Sequence, residues 1–133
     1  MKSHEAACSC GQLRAVAEGD PAGVTVCHCF ACPRRTGSAF GVQARFARDQ
    51  VTVSGDWQEY LRHGDDDGEL RRFRFCGHCG ATVFYDYGAG PEAVVIPVGS
   101  FADPAFAAPQ RSIYESRRHP WVMITGGSVG HHT

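Results

Sequence analysis

Seven cysteines in 133 residues constrain this chain more than any other feature, because they are clustered: Cys8-Ser9-Cys10, Cys27-His28-Cys29-Phe30-Ala31-Cys32 and Cys76-Gly77-His78-Cys79. Three thiols within six residues cannot all pair with one another as disulfides, and an odd total leaves one thiol over. The first seven residues contain no apolar run of the signal-peptide kind, so the expected setting is reducing and the expected location cytoplasmic. In that setting, clustered thiols read as ligands for a soft metal ion, with zinc the first choice.

Spacing suggests how the ligands divide. Side chains two apart on an extended backbone point to one side. Cys27 and Cys29 can therefore face a single ion, and a tight turn at Phe30-Ala31 can bring Cys32 round to it. Three ligands leave a tetrahedral zinc one short. The segment Cys76-Gly77-His78-Cys79-Gly80, between two strand-like runs, reads as a zinc knuckle. Its glycines allow the positive φ angles that turn backbone N–H groups towards thiolates. The knuckle needs two more ligands. Cys8 and Cys10 can supply them, giving a closed tetrathiolate whose role would be structural. Alternatively Cys27 and Cys29 join the knuckle, leaving Cys8, Cys10 and Cys32. The first sorting keeps the three local thiols on one ion and is preferred. Neither His28, pointing away from its neighbours' metal, nor His78, at the knuckle tip, is expected to be a ligand.

The remaining residues predict a mainly β chain of one domain spanning 1–133. Sixteen Gly and seven Pro imply many turns, and a formal net charge of −1 offers no footprint for nucleic acid or an anionic membrane. Strands are expected at 12–18, with Leu13, Ala15 and Ala17 on one face, and at 38–46, with Phe40, Val42, Ala44 and Phe46 together. Others are expected at 51–53, 57–63, 70–75, 81–87, 92–98 and 111–117, with one helical turn beginning near Pro33. Asp65-Asp66-Asp67 reads as a solvated hairpin tip rather than a calcium loop, and Arg71-Arg72 and Arg117-Arg118 as solvated faces. His119-Pro120-Trp121 should anchor the end, leaving 126–133 as a loose tail.

Taken together, CSCG at 8–11, CHCFAC followed by RRTGSAF through Phe40, FCGHCGATVF at 75–84, VIPVGSFADP at 95–104 and HPW at 119–121 resemble one family. It is the glutathione-dependent formaldehyde-activating enzymes, whose domain is shared with centromere protein V. The resemblance implies a β-tent fold of small twisted antiparallel sheets with two Zn²⁺ sites. The structural one would be at Cys8, Cys10, Cys76 and Cys79, the catalytic one at Cys27, Cys29 and Cys32. It implies a carbon–sulfur lyase joining a small-molecule thiol and aldehyde, glutathione and formaldehyde, as S-hydroxymethylglutathione. Arg34 and Arg35 are the candidates for pairing with a glutathione carboxylate. Pro33 departs from the family, which more often has a basic or polar residue at that position. The relation to centromere protein V also allows a non-enzymatic zinc module for a macromolecular partner.

Overall fold

Period-two alternation sorts the side chains of the longer strands onto two faces, and those faces meet different surroundings. The computed structural model describes residues 2–88 and 90–133. Among these, β1 (Ser3–Ala7), β2 (Arg14–Glu18), β3 (Gly23–Cys27) and β4 (Gly41–Ala47) precede β5 (Val51–Ser54), β6 (Gln58–His63), β7 (Leu70–Phe75) and β8 (Thr82–Tyr87). The chain then forms β9 (Gly90–Pro97), β10 (Arg111–Ile113) and β11 (Gly130–His131). A three-stranded antiparallel sheet has the order β1-β2-β5, and an eight-stranded sheet the order β11-β10-β3-β4-β9-β8-β7-β6. The larger sheet is antiparallel from β3 to β6 and parallel where β10 joins β3 and β11. The fold is thus mainly β, in the two-sheet, β-tent-like arrangement expected.

One face of the large sheet packs against the small one. Val24, Ala44, Phe46, Val83, Val94 and Ile96 form a buried cluster with Leu13, Ala15 and Ala17. The register places Val24 beside Ala44, Ala44 beside Ile96 and Phe46 beside Val94, so these central partners are all apolar. The opposite face carries Thr25 and Cys27 on β3, Gln43 and Arg45 on β4, Val95 on β9, Tyr85 and Tyr87 on β8 and Phe73 on β7. Here Phe73, Tyr85 and Val95 make a second, smaller cluster.

Several local expectations are corrected. The helix, α1 (Ala31–Thr36), begins two residues before Pro33 and so contains Cys32. Pro33 still falls in the first turn, where its missing N–H is no loss. The expected strand at 38–46 begins only at Gly41 and continues to Ala47. The strand expected through Arg117 stops at Ile113, because Tyr114 adopts φ 56° and a 3-10 turn follows at Glu115–Arg117. The tail is not loose: Gly130 and His131 pair with Arg111 and Ser112. Trp121 is 74% exposed, and Val122 is the residue buried near that end. Among the described residues, no helix is long and apolar enough to cross a membrane.

Phe46 lies wholly inside the main cluster and packs edge-on to Phe101. Phe46→Ala should cost about 3–5 kcal/mol, read as a lower midpoint in denaturant unfolding.

Candidate functional site

Two loops of similar design bring four thiols together. In one, the Cys8 N–H donates to Leu13 C=O (3.0 Å) and the Gly11 N–H to Cys8 C=O (3.0 Å). In the other, the Cys76 N–H donates to Ala81 C=O (3.0 Å) and the Gly80 N–H to Cys76 C=O (2.8 Å). Gly11 and Gly80 close these turns at φ +82° and +81°, a conformation that suits glycine. Each loop aims an amide at a sulfur: Leu13 N–H at Cys8 Sγ and His78 N–H at Cys76 Sγ, both 3.3 Å. Gln12 ties them further, donating to Cys76 Sγ (3.0 Å) and exchanging hydrogen bonds with the Asp56 backbone (2.7 and 2.9 Å). That amide, opposed by burial, holds the Cys76 thiol down at about 6.

The Sγ atoms of Cys8, Cys10, Cys76 and Cys79 all lie within 4.8 Å of one another, with Cys8–Cys10 and Cys10–Cys76 at 3.6 Å. A zinc–sulfur bond of about 2.3 Å puts sulfurs of a tetrahedral site about 3.8 Å apart. The spacing therefore suits one metal ion, and four thiolates this close require a cation to offset their repulsion.

The second group is Cys27, Cys29 and Cys32, also mutually within 4.8 Å. It shares no residue with the first. Cys27 ends β3 on the polar face of the large sheet, Cys29 follows in a bend, and Cys32 comes from the first turn of α1, its Sγ 3.3 Å from that of Cys29. Contacts with the Cys27 and Cys32 sulfurs hold the Cys29 thiol well below its usual range, while contacts with Cys29 and Cys32, and burial, push Cys27 up. Gly41, paired with Cys27 across the strands, leaves the space: a Cβ there would sit 3.0 Å from Cys32 Cβ and 3.2 Å from Arg35 Nη2. His28 points away, as expected, and is buried, with Nε2 2.9 Å from Ser112 Oγ. His78 is exposed.

The triad opens onto a cavity of about 1310 Å³. Its floor is the second face of the large sheet, where Tyr85 and Tyr87 lie among guanidinium groups. Arg35 stands over the Phe73 and Tyr85 rings (5.7 and 5.6 Å), and Arg45 and Arg71 over Tyr87 (5.5 and 4.9 Å). Arg35 Nη2 is buried without a hydrogen-bond partner among the described residues. Arg34 is exposed at the rim, lining both this cavity and a smaller one beside it.

Asp65-Asp66-Asp67 is the exposed hairpin end expected, but Arg71 and Arg117 are only partly exposed and are paired with it. Asp67 takes a two-point contact from Arg71 (3.1 and 2.8 Å), and Asp66 one from Arg117 (3.0 Å to each oxygen). Asp66 lies between β6 and β7, at one end of the large sheet, whereas Arg117 follows β10 near the other. The pair therefore links the two ends of the large sheet beside the cavity, which Asp66 lines. Arg45 alternates with Ala44 and Phe46 along β4 and so faces the cavity, but alternation gives no sign that this face is concave.

This arrangement defines a small β protein with two thiol clusters of metal-binding geometry, one of four cysteines, two buried and two exposed at the surface, and one of three facing a cationic cavity. The chain belongs to the glutathione-dependent formaldehyde-activating enzyme family, whose sequence profile matches residues 3–117. That membership supports an enzymatic role of the formaldehyde- and glutathione-related kind in general terms. A crystal structure of a Rhodobacter sphaeroides protein, a structural genomics target, is similar with a TM-score of 0.57 at 20% identity. The match covers 75% of this chain and 91% of that one, and at this identity it speaks for the fold alone. No curated protein gives a significant match.

Metal analysis of protein purified without added zinc should give two ions per chain, with Cys29→Ala losing one and retaining the other. Gly41→Ala should weaken retention at the triad selectively, seen as faster metal loss to a chelator. At acid pH, Arg71 holds the Asp67 carboxyl at about 2, below its ordinary 3.8. The contact therefore stabilises the fold above pH 3.8 and loses that contribution as pH falls towards 2. Asp67→Asn should flatten this part of the stability–pH curve measured by urea unfolding.

Proposed function

We propose that the protein is a zinc-dependent carbon–sulfur lyase acting on a thiol–aldehyde adduct, with glutathione and formaldehyde giving S-hydroxymethylglutathione. The observation that carries this reading is the position of the three-cysteine cluster. It supplies three sulfurs, one short of a tetrahedral set, at the inner wall of a large cavity rich in arginine. The four-cysteine cluster, with a full set of its own, suits a structural ion instead. Cys27, Cys29 and Cys32 would hold the second zinc, which when bound supplies a Lewis-acid position that keeps an incoming thiol ionised at neutral pH.

In the overall reaction a carbon–sulfur bond forms between glutathione sulfur and formaldehyde carbon. The carbonyl π pair passes to oxygen, and the thiol proton ends on that oxygen. The reverse direction breaks the same bond. Arg35, fixed over two aromatic rings, places a positive charge beside Cys32 and offsets the negative charge of three thiolates. Arg34, free to sample the rim, would receive a substrate carboxylate. A cavity beside the triad favours this reading over a purely macromolecule-binding module, for which the concave face would have no use.

Hydroxymethyl adduct formation, followed by exchange spectroscopy, should show a component proportional to enzyme above the spontaneous reaction. Cys32→Ala should abolish it, and Arg34→Ala should raise KM for glutathione about tenfold with little change in kcat, as loss of one charge-assisted contact requires. A rate equal to background at every enzyme concentration would remove the proposal.

A further inference from the structure

The roof of the cavity is built differently from its floor. The loop between β6 and β7 is stapled within itself. The Gly64 N–H donates to Glu69 C=O (2.9 Å) and the Gly68 N–H to Gly64 C=O (3.0 Å). Asp67 accepts from the Glu69 N–H (2.9 Å) as well as from Arg71. Asp65 pairs with Arg62 of β6 (2.7 Å), three residues away. These contacts are all local, so they hold the loop's shape but not its position over the cavity. Among the described residues, the ion pair from this loop to the other end of the large sheet is Asp66–Arg117, across 51 residues of sequence.

Arg117 is itself held in place. Its guanidinium lies over the Phe30 ring (5.2 Å) and the Tyr114 ring (4.9 Å), and both aromatic residues line the cavity beside Cys29. Phe30 directly follows Cys29 and is 64% exposed. The guanidinium and ring form a fixed post, and Asp66 is the bolt. Both partners of the pair remain partly exposed, and such pairs contribute little to stability, so the latch can open readily.

We propose that the β6–β7 loop, 64–68, is a lid over the triad, latched shut by Asp66 on Arg117 and opened by breaking that one contact. This rests on the triad being where the substrate thiol arrives. A carboxylate-bearing thiol offers Arg117 the same two-oxygen partner that Asp66 does, so an arriving substrate of this class can exchange with Asp66 and loosen the lid as it enters. A neutral thiol cannot make that exchange.

The test uses the protein as purified and follows loss of metal from the triad to 4-(2-pyridylazo)resorcinol, with Cys29→Ala marking the slower four-cysteine component. Asp66→Asn and Arg117→Gln should each accelerate triad loss about two- to five-fold, the range expected for losing a part-exposed ion pair. Asp65→Asn, which removes a charge from the same loop without touching the latch, should leave the rate unchanged. Glutathione should accelerate loss from the wild type and 2-mercaptoethanol should not, and neither should accelerate Asp66→Asn further. Equal rates in wild type, Asp66→Asn and Arg117→Gln would overturn the lid, as would an equal effect of Asp65→Asn. If the purified triad carries no metal, alkylation of Cys29 by iodoacetamide, read by peptide mass spectrometry at a pH where the rate has reached its plateau, gives the same comparison with the same expected ratios. Because both measurements read access and not turnover, an enzyme inactive with formaldehyde would sink the proposed reaction while leaving the lid decided.

Discussion

Sulfurs 3.3–3.6 Å apart repel one another unless protons or a cation lie between them, and much of this structure is arranged around that fact. The four-cysteine cluster sits where the loop before β2 meets the turn between β7 and β8, so it joins the small sheet to the large one. Cys10 and Cys76 are 66 residues apart, yet the entropy of closing so long a loop grows only slowly with length. A cation held there would replace repulsion with a clamp at the edge shared with the main core, of which Cys8 and Cys76 are part. Gln12, reaching both Cys76 and Asp56, extends that junction to the turn between β5 and β6.

The large sheet then separates two tasks by the pleat of its strands. Phe46 and Ala44 pack into the core, while Arg45 between them faces the cavity. Val94 and Ile96 do the same around Val95. Binding surface and core are thus printed on alternate letters of the same segments. The cysteine triad lies at the end of one such segment, so the rigidity of β3 and β4 is passed directly to Cys27 and, through Gly41, to the space Cys32 occupies.

Much of this was legible in the residues, and the remainder was not for identifiable reasons. Cysteine spacing is a local signal, so the knuckle and the triad stand out in sequence. Leu13, Ala15 and Ala17 alternate because water is on one side only, and all three are fully buried. The same rule misleads where a sheet curls: Arg71 and Arg45 look solvent-facing, since alternation distinguishes faces but not concave from convex. Contacts such as Asp66–Arg117 depend on curvature summed over eight strands, which no short window contains. Asp86 shows another limit. It is 3% exposed, held by Arg48 (2.6 Å), Arg74 (3.0 Å) and Arg72 (3.8 Å), and nothing in Tyr85-Asp86-Tyr87 announces a buried carboxylate. Arg72 and Arg74 owe their place on β7 to it, a structural use of charge that resembles a binding patch when read along the chain.

The alternation of core and cavity residues has a consequence for how such a chain can change over generations. A substitution at Gln43 or Arg45 alters the surface of the cavity, while the immediate neighbours that hold the sheets together are untouched. Selection can therefore retune the cavity one position at a time, with few of the trade-offs that arise when a binding residue also supports the interior. Thiol clusters of fixed spacing, set in a sheet whose other face is open to drift, make a scaffold on which substrate range can diverge faster than architecture.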